Sequence, residues 1–118
     1  MTREFIETPS FQKQWQRLGL DETELEDLQN AILIDPEIGA LIQGSGGVRK
    51  IRVRFPGRGK SGSCRVGYVD FPEYGSTFLL TVYSKKQKEN LSDKEKEALR
   101  LVVKQIRDNL RRRALYGE

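Results

Sequence analysis

The residues best suited to chemistry in this chain are cations. Lys50 and Arg52 stand two residues apart in VRKIRVRF, Arg65 lies in CRVGYVDF, and Lys85, Lys86 and Lys88 follow STFLLTVYS. The block from 49 to 65 holds Arg49, Lys50, Arg52, Arg54, Arg58, Lys60 and Arg65 and no acid. Seven like charges in 17 residues repel one another for no structural gain, so the block reads as a surface for a polyanion. Lysine and arginine can surround a phosphodiester and stabilise the charge that develops on its oxygens, without a metal. In RNA the 2′-OH is an internal nucleophile beside the phosphate, so strand cleavage needs no protein nucleophile. It does need a general base, and the choice falls among lysine, tyrosine and carboxylate. A lysine among other cations suits the task, because like charges lower its pKa.

Composition removes the competing chemistries. There is no histidine, which excludes His-based triads, paired-His nucleases and His-ligated metals. Cys64 is the single cysteine, so neither an intrachain disulfide nor a Cys-rich zinc site can form, and it reads as an ordinary strand residue. The basic segment from 41 to 90 offers only Asp70, Glu73 and Glu89 as carboxylates, at no metal-ligand spacing. GSGGVRK and GRGKSGS lack the P-loop spacing and lead into strands rather than helices. No metal and no cofactor is therefore expected. At 118 residues the chain is expected to be one domain, 1–118. Mean hydropathy is −0.62 and the longest apolar run is four residues, Ala31 to Ile34, so no membrane partner is expected. MTREFIETPSF has acids and no apolar stretch, so it is not read as a signal peptide, and the expected location is the cytoplasm.

Net charge is +4, unevenly spread: −6 over residues 1–40, +7 over 41–90 and +3 over 91–118. The elements that must hold the cations follow from periodicity. TREFIE (2–7) reads as a short strand with Phe5 inward. Phe11, Trp15 and Leu18 predict a helix over 9–18. Asp21 with Glu24 forms a capping-box pattern opening a second helix, with Leu25, Leu28, Ile32 and Leu33 as its apolar stripe, ended by Asp35-Pro36. GSGG (44–47) reads as a flexible connection. In VRKIRVRF the period becomes two: Val48, Lys50, Arg52 and Arg54 share one face, and Arg49, Ile51, Val53 and Phe55 the other. CRVGYVDF (64–71) places Arg65, Gly67 and Val69 opposite Val66 and Tyr68, and Pro72–Gly75 turns into STFLLTVYS (76–84). Ser92 with Glu95 opens a last helix of about 20 residues with Leu99, Val102, Val103, Ile106 and Leu110 inward and Arg111–Arg113 near its end. The class is α+β, in the order β-α-α-β-β-β-α, with the helices expected on one face of a small, mainly antiparallel sheet.

QGSGGVRKIRVRFPGRGKSGSCRVGY followed by FLLTVYSKKQKENLS resembles the HigB-type toxins of the RelE/ParE superfamily of toxin–antitoxin modules, over about residues 2–107. The resemblance implies a RelE-like fold and a type II toxin. Its activity would be ribosome-dependent mRNA cleavage in the A site, in which the 2′-OH attacks and a 2′,3′-cyclic phosphate remains. It maps the family's catalytic cations onto Lys50, Arg52, Arg65 and Lys86, or the neighbouring Lys85. Arg49, Arg54, Arg58, Lys60, Tyr83, Lys85 and Lys88 become candidates for contacts with RNA and ribosome. RelE proper stacks a tyrosine on the base a few residues further on, where this chain has Leu91-Ser92; Tyr83 or Tyr68 would substitute. The implied partners are the 70S ribosome with its mRNA and rRNA, and a cognate antitoxin carrying a DNA-binding domain. Two rival readings are a ParE-like DNA gyrase poison and a nucleic-acid-binding module without catalysis. For the latter, few aromatic platforms lie near the basic face, Tyr74 and Tyr83 among them.

Overall fold

In a computed structural model, residues 3–54 and 63–117 are described. Strand β1 (Glu4–Glu7) leads into α1 (Pro9–Arg17) and α2 (Glu22–Ile34). A two-residue strand, β2 (Ala40–Leu41), precedes β3 (Arg49–Arg54), β4 (Ser63–Phe71) and β5 (Ser76–Ser84), and α3 (Asp93–Tyr116) closes the chain. The strands form one sheet in the order β1-β5-β4-β3-β2. β1 runs parallel to β5, and the other pairs are antiparallel. The element order expected from periodicity is present, with β2 added. Two residues are too short for a periodic signal, and β2 exists only because Ala40 and Leu41 meet Lys50 and Arg49.

The helices begin where their caps stand. Thr8 accepts from the Phe11 amide, and Pro9 occupies the first turn, where its missing N–H costs nothing. Asp21 and Glu24 make a reciprocal capping box, as do Ser92 and Glu95. α3 runs to Tyr116, longer than its apolar stripe, and stops at Gly117, whose φ of 69° suits glycine.

The helices do not share one face, which corrects the expectation. α1 and α2 bury Phe11, Trp15, Leu25, Leu28 and Ile32 against Cys64, Val66, Tyr68, Leu79 and Val82. α3 buries Val103 and Leu110 on the opposite face, against Val69, Phe71, Leu80 and Tyr83. The central strands β4 and β5 carry apolar residues on both sides, so each face needs its own cover. Two residues expected to face inward do not: Leu33 is 41% exposed and Val102 39% exposed, because each lies at the rim of its helix's buried seam.

The GSGG connection is an ordered turn rather than a slack one. Ser45 is fully buried; its hydroxyl donates to the Ile42 carbonyl (2.6 Å) and accepts from the Val48 amide (3.1 Å). That turn sets the start of β3, and with it which residues of VRKIRVR face α3.

Candidate nucleic-acid interface

Strand pairing assembles a row that no single segment contains. Arg52 on β3 pairs directly with Arg65 on β4, and Arg65 pairs directly with Tyr83 on β5. Paired residues on adjacent strands share a face at about 5 Å spacing, so three side chains line up across the sheet. Lys50 lies one pleat along, opposite Gly67. A side chain at Gly67 would come within 2.9 Å of Thr81 Cγ2 and 3.4 Å of Val48 Cγ1, so glycine keeps this close-packed spot beside Lys50 clear. All of these residues lie on the α3 face of the sheet, Tyr83 inside the core under the helix and the cations at its margin.

Tyr83 reaches that face through a bulge. Gly67 pairs with Thr81 and Tyr68 with Leu79, so Leu80 is the extra residue on β5. Strict alternation would put Tyr83 on the side of Leu79, under α1 and α2. With the bulge, Val82 joins Leu79 in that core and Tyr83 turns to the face of Arg65.

The row is electrostatically unusual. Two arginines directly opposite each other are unfavourable unless an anion sits between them. Arg65 is half-buried, and its Nη1 is buried without a hydrogen-bond partner among the described residues. Tyr83 is 4% exposed, and its Oη is likewise buried and unpaired among them. Burial pushes the Tyr83 hydroxyl above the ordinary phenol value, Glu95 adds to this, and Arg65 opposes it. At neutral pH Tyr83 is therefore an O–H donor and not a base.

Beside the row, Leu41, Ile42, Gln43, Lys50, Tyr83, Asn90, Leu91 and Lys96 line a pocket of about 310 Å³. Lys50 Nζ reaches Asn90 Oδ1 at 3.5 Å. Lys88 lies 5.6 Å from the centre of the Tyr83 ring and is ion-paired with Glu95. That pairing, with the Ser92 amide, holds the Glu95 carboxyl below the usual range. Asn90, Glu95 and Lys96 were missed as site residues. Glu95 had a signal only as a helix cap, and nothing local to the others shows that the start of α3 folds over β5.

The other sequence candidates divide by place. Arg54 is exposed and shares the face of Arg52. Lys85 and Lys86 are exposed in the turn after β5, a step beyond the row, which Lys85 joins to β4 through its amide and the Ser63 carbonyl (3.4 Å). Arg58 and Lys60 lie outside the described residues. Arg49 is not part of the cluster. It points to the α1/α2 face and donates to the carbonyls of Gly39 (2.8 Å) and Glu37 (3.3 Å), where it braces the segment before β2. Tyr68 cannot stack on a base, because it is fully buried and bonded at its hydroxyl. Tyr83 presents no open ring face either, since its ring is enclosed by the core under α3. Tyr74 sits half-buried in the turn before β5, away from the row. Cys64 lies in the α1/α2 core, where burial pushes its thiol up to about 12. Asp70 is held by Arg3 (3.1 Å) and Thr77 (2.7 Å) near the other end of β4.

Residues 6–115 match the family described as RelE toxin of the RelE/RelB toxin–antitoxin system. The chain belongs to the RelE toxin family. It is a toxin of a toxin–antitoxin module within the RelE/ParE superfamily. Solved structures share the RelE fold. A double arginine-to-alanine mutant of the E. coli toxin RelE in the free state is 22% identical, with a TM-score of 0.53, over 75% of this chain and 90% of that one. The intact E. coli RelBE toxin–antitoxin complex is 22% identical, with a TM-score of 0.52, over 70% of this chain and 96% of the matched chain. None of the described helices of this RelE-family chain is long and apolar enough to cross a membrane.

Proposed function

We propose that this single-domain chain is a HigB-type, ribosome-dependent mRNA endonuclease that cuts the message in the A site and so stops translation. The observation that carries the reading is the row Arg52–Arg65–Tyr83, flanked by Lys50, whose cations stand at the margin of α3. A phosphodiester lying on it removes the repulsion between Arg52 and Arg65. The reaction needs no metal. The 2′-oxygen, losing its proton to a base, attacks the adjacent phosphorus; the bond to the 5′-oxygen breaks, and that oxygen takes up a proton. A 2′,3′-cyclic phosphate and a 5′-hydroxyl remain. Arg52 and Arg65 bear the charge that grows on the non-bridging oxygens. Lys50 and Lys86 are the proposed proton carriers, with Lys86 brought in from the turn after β5. Tyr83 packs beside Arg65 on the neighbouring strand. Arg54, Lys85 and Lys88 hold neighbouring phosphates of message and ribosome, as do Arg58 and Lys60.

The family's toxin–antitoxin setting and the RelBE complex support a cognate antitoxin as the neutralising partner, and we propose that it carries a DNA-binding domain. The deciding experiment is incubation of an mRNA with purified protein, with and without programmed ribosomes, mapped by primer extension. Cuts that require ribosomes and vanish in Arg65→Ala support the reading. A protein that arrests growth but cuts nothing in either condition overturns it in favour of a protein target such as DNA gyrase.

A further inference from the structure

The proposed site accounts for the cations of β3, β4 and the turn after β5, but not for those of α3. Lys96, Arg100, Lys104, Arg107 and Arg111 are spaced by four, four, three and four residues, which places all five on one flank of the helix. At 1.5 Å per residue the stripe runs about 22 Å.

The packing shows which flank this is. Leu99, Val103, Ile106 and Leu110 form the buried seam. On one side of it, Leu99 and Val102 line a pocket with Leu80 and Thr81, and Ile106 lines another with Ile6 and Phe78, so that side faces β5 and β1. The stripe lies on the other side. A side chain at Gly46, in the turn before β3, would come within 3.3 Å of Arg100 Cγ, and the Arg107 guanidinium lies 5.4 Å from the centre of the Phe71 ring at the end of β4. The stripe therefore borders the same face that carries Lys50, Arg52 and Arg65. Its first member, Lys96, lines the pocket shared by Lys50 and Tyr83.

Helix stability does not explain the stripe. The macrodipole favours cations only in the last turn, and all five residues of the stripe stand before it. Like charges at i, i+4 repel. Two members have acidic neighbours, Arg100 with Glu97 (2.6 Å) and Lys104 with Asp108 (3.2 Å). Both pairs are exposed, and exposed ion pairs are weak enough to yield to a phosphate. Lys96, Arg107 and Arg111 have no ion pair among the described residues.

We propose that the α3 flank from Lys96 to Arg111 is a phosphate track that carries the RNA strand away from the Lys50–Arg52–Arg65 cluster. The inference rests on the nuclease reading for the identity of the strand. Its ligand is the sugar–phosphate backbone of single-stranded RNA, recognised by charge and without base contacts.

The test uses the full chain, wild type and Arg107→Gln/Arg111→Gln, with both residues exposed and far from the pocket. Far-UV circular dichroism verifies that the helix persists. Binding of four- and ten-nucleotide 2′-O-methyl RNAs, which lack the attacking hydroxyl, is followed by fluorescence anisotropy between 0.05 and 0.5 M salt. Two lost phosphate contacts reduce the log–log salt slope by about 1.4 and weaken binding of the longer RNA about 25-fold at 0.1 M salt. The shorter RNA, which occupies the cluster alone, is expected to bind as to wild type. In ribosome-dependent cleavage the double variant is expected to raise KM while kcat holds.

Unchanged slope and unchanged preference for the longer RNA would overturn the track. So would equal losses for both lengths, which would make the effect one of general charge. Loss of affinity for message-free ribosomes with no change on free RNA would give the flank to ribosomal RNA and also overturn it. The nuclease reading fails separately, through wild-type protein that cuts no message; the length and salt dependence is read without any cleavage.

Discussion

Two tyrosines on opposite faces of the sheet have the same burial and opposite surroundings. Tyr68, under α1 and α2, is fully buried, and its hydroxyl accepts from the Gly39 amide (3.0 Å) and donates to the Pro36 carbonyl (2.9 Å). Tyr83, at the margin of the α3 face, is nearly as buried, and its hydroxyl has no partner among the described residues. A side chain at Gly39 would lie 2.9 Å from both the Lys50 carbonyl and the Tyr68 ring, so that contact closes only around glycine. On one face the tyrosine is fully satisfied and helps hold the fold together, although Arg3, bound to Asp70 near the end of β4, keeps Nε and Nη1 without partners among the described residues. The other keeps an unmet donor beside an unmet guanidinium, a local cost of about 1–3 kcal/mol per group that a binding site can carry.

The largest loss is expected from truncation under α1 and α2. Ile32→Ala, beneath α2, removes a fully buried side chain and is expected to cost about 2–5 kcal/mol in urea unfolding. On the other face, Arg65→Ala is expected to lower the cleavage rate about 100-fold, equivalent to about 2.7 kcal/mol of transition-state stabilisation. Its melting temperature should stay near that of wild type; a large fall in melting temperature would move Arg65 to the structural side.

The tyrosines themselves give the sharpest contrast. Tyr68→Phe strands the Gly39 amide and the Pro36 carbonyl and is expected to destabilise by about 1–3 kcal/mol. Tyr83→Phe has no hydrogen bond to lose, removes a buried hydroxyl without a partner among the described residues, and is expected to stabilise by about 1–3 kcal/mol. A double-mutant cycle of Tyr83→Phe with Arg65→Ala on cleavage then measures how far the tyrosine works through the arginine.

Smallest is the pH effect. Burial raises both hydroxyls above the ordinary phenol value. A pKa raised in the folded state leaves stability whole below the unfolded value of about 10, and stability is lost as pH rises through the folded one. Absorbance titration of tyrosinate should show two groups ionising late, one missing in each Phe variant. The tyrosines' share of the stability should begin to fall only above about pH 10, whereas the raised Cys64 thiol loses its share from about pH 8.5 upward.

Much of this architecture is legible in local patterns. Capping residues at Asp21 and Ser92 mark their helices. The two-residue period of VRKIRVR sorts Lys50 and Arg52 from Arg49 before any partner strand is known. What local pattern misses is contact between distant segments. Arg49 has the composition of a site residue and serves as a brace, because its partners Glu37 and Gly39 belong to another segment. Lys96 looks like an ordinary surface lysine until α3 folds over β5 and brings it to the pocket of Lys50.

Sequence alone determined the element types, the concentration of positive charge after residue 41 and the absence of histidine and disulfide chemistry. These depend on residue identity and on periods of two or 3.6, which are local. Tertiary structure alone decided that the helices cover opposite faces and that Arg52, Arg65 and Tyr83 form one row. The row depends on register between separate strands and on the extra residue at Leu80, which reverses the facing of everything after it on β5. A one-residue slip in a pleated strand exchanges its two faces, and only pairing with the neighbouring strand holds that slip in place.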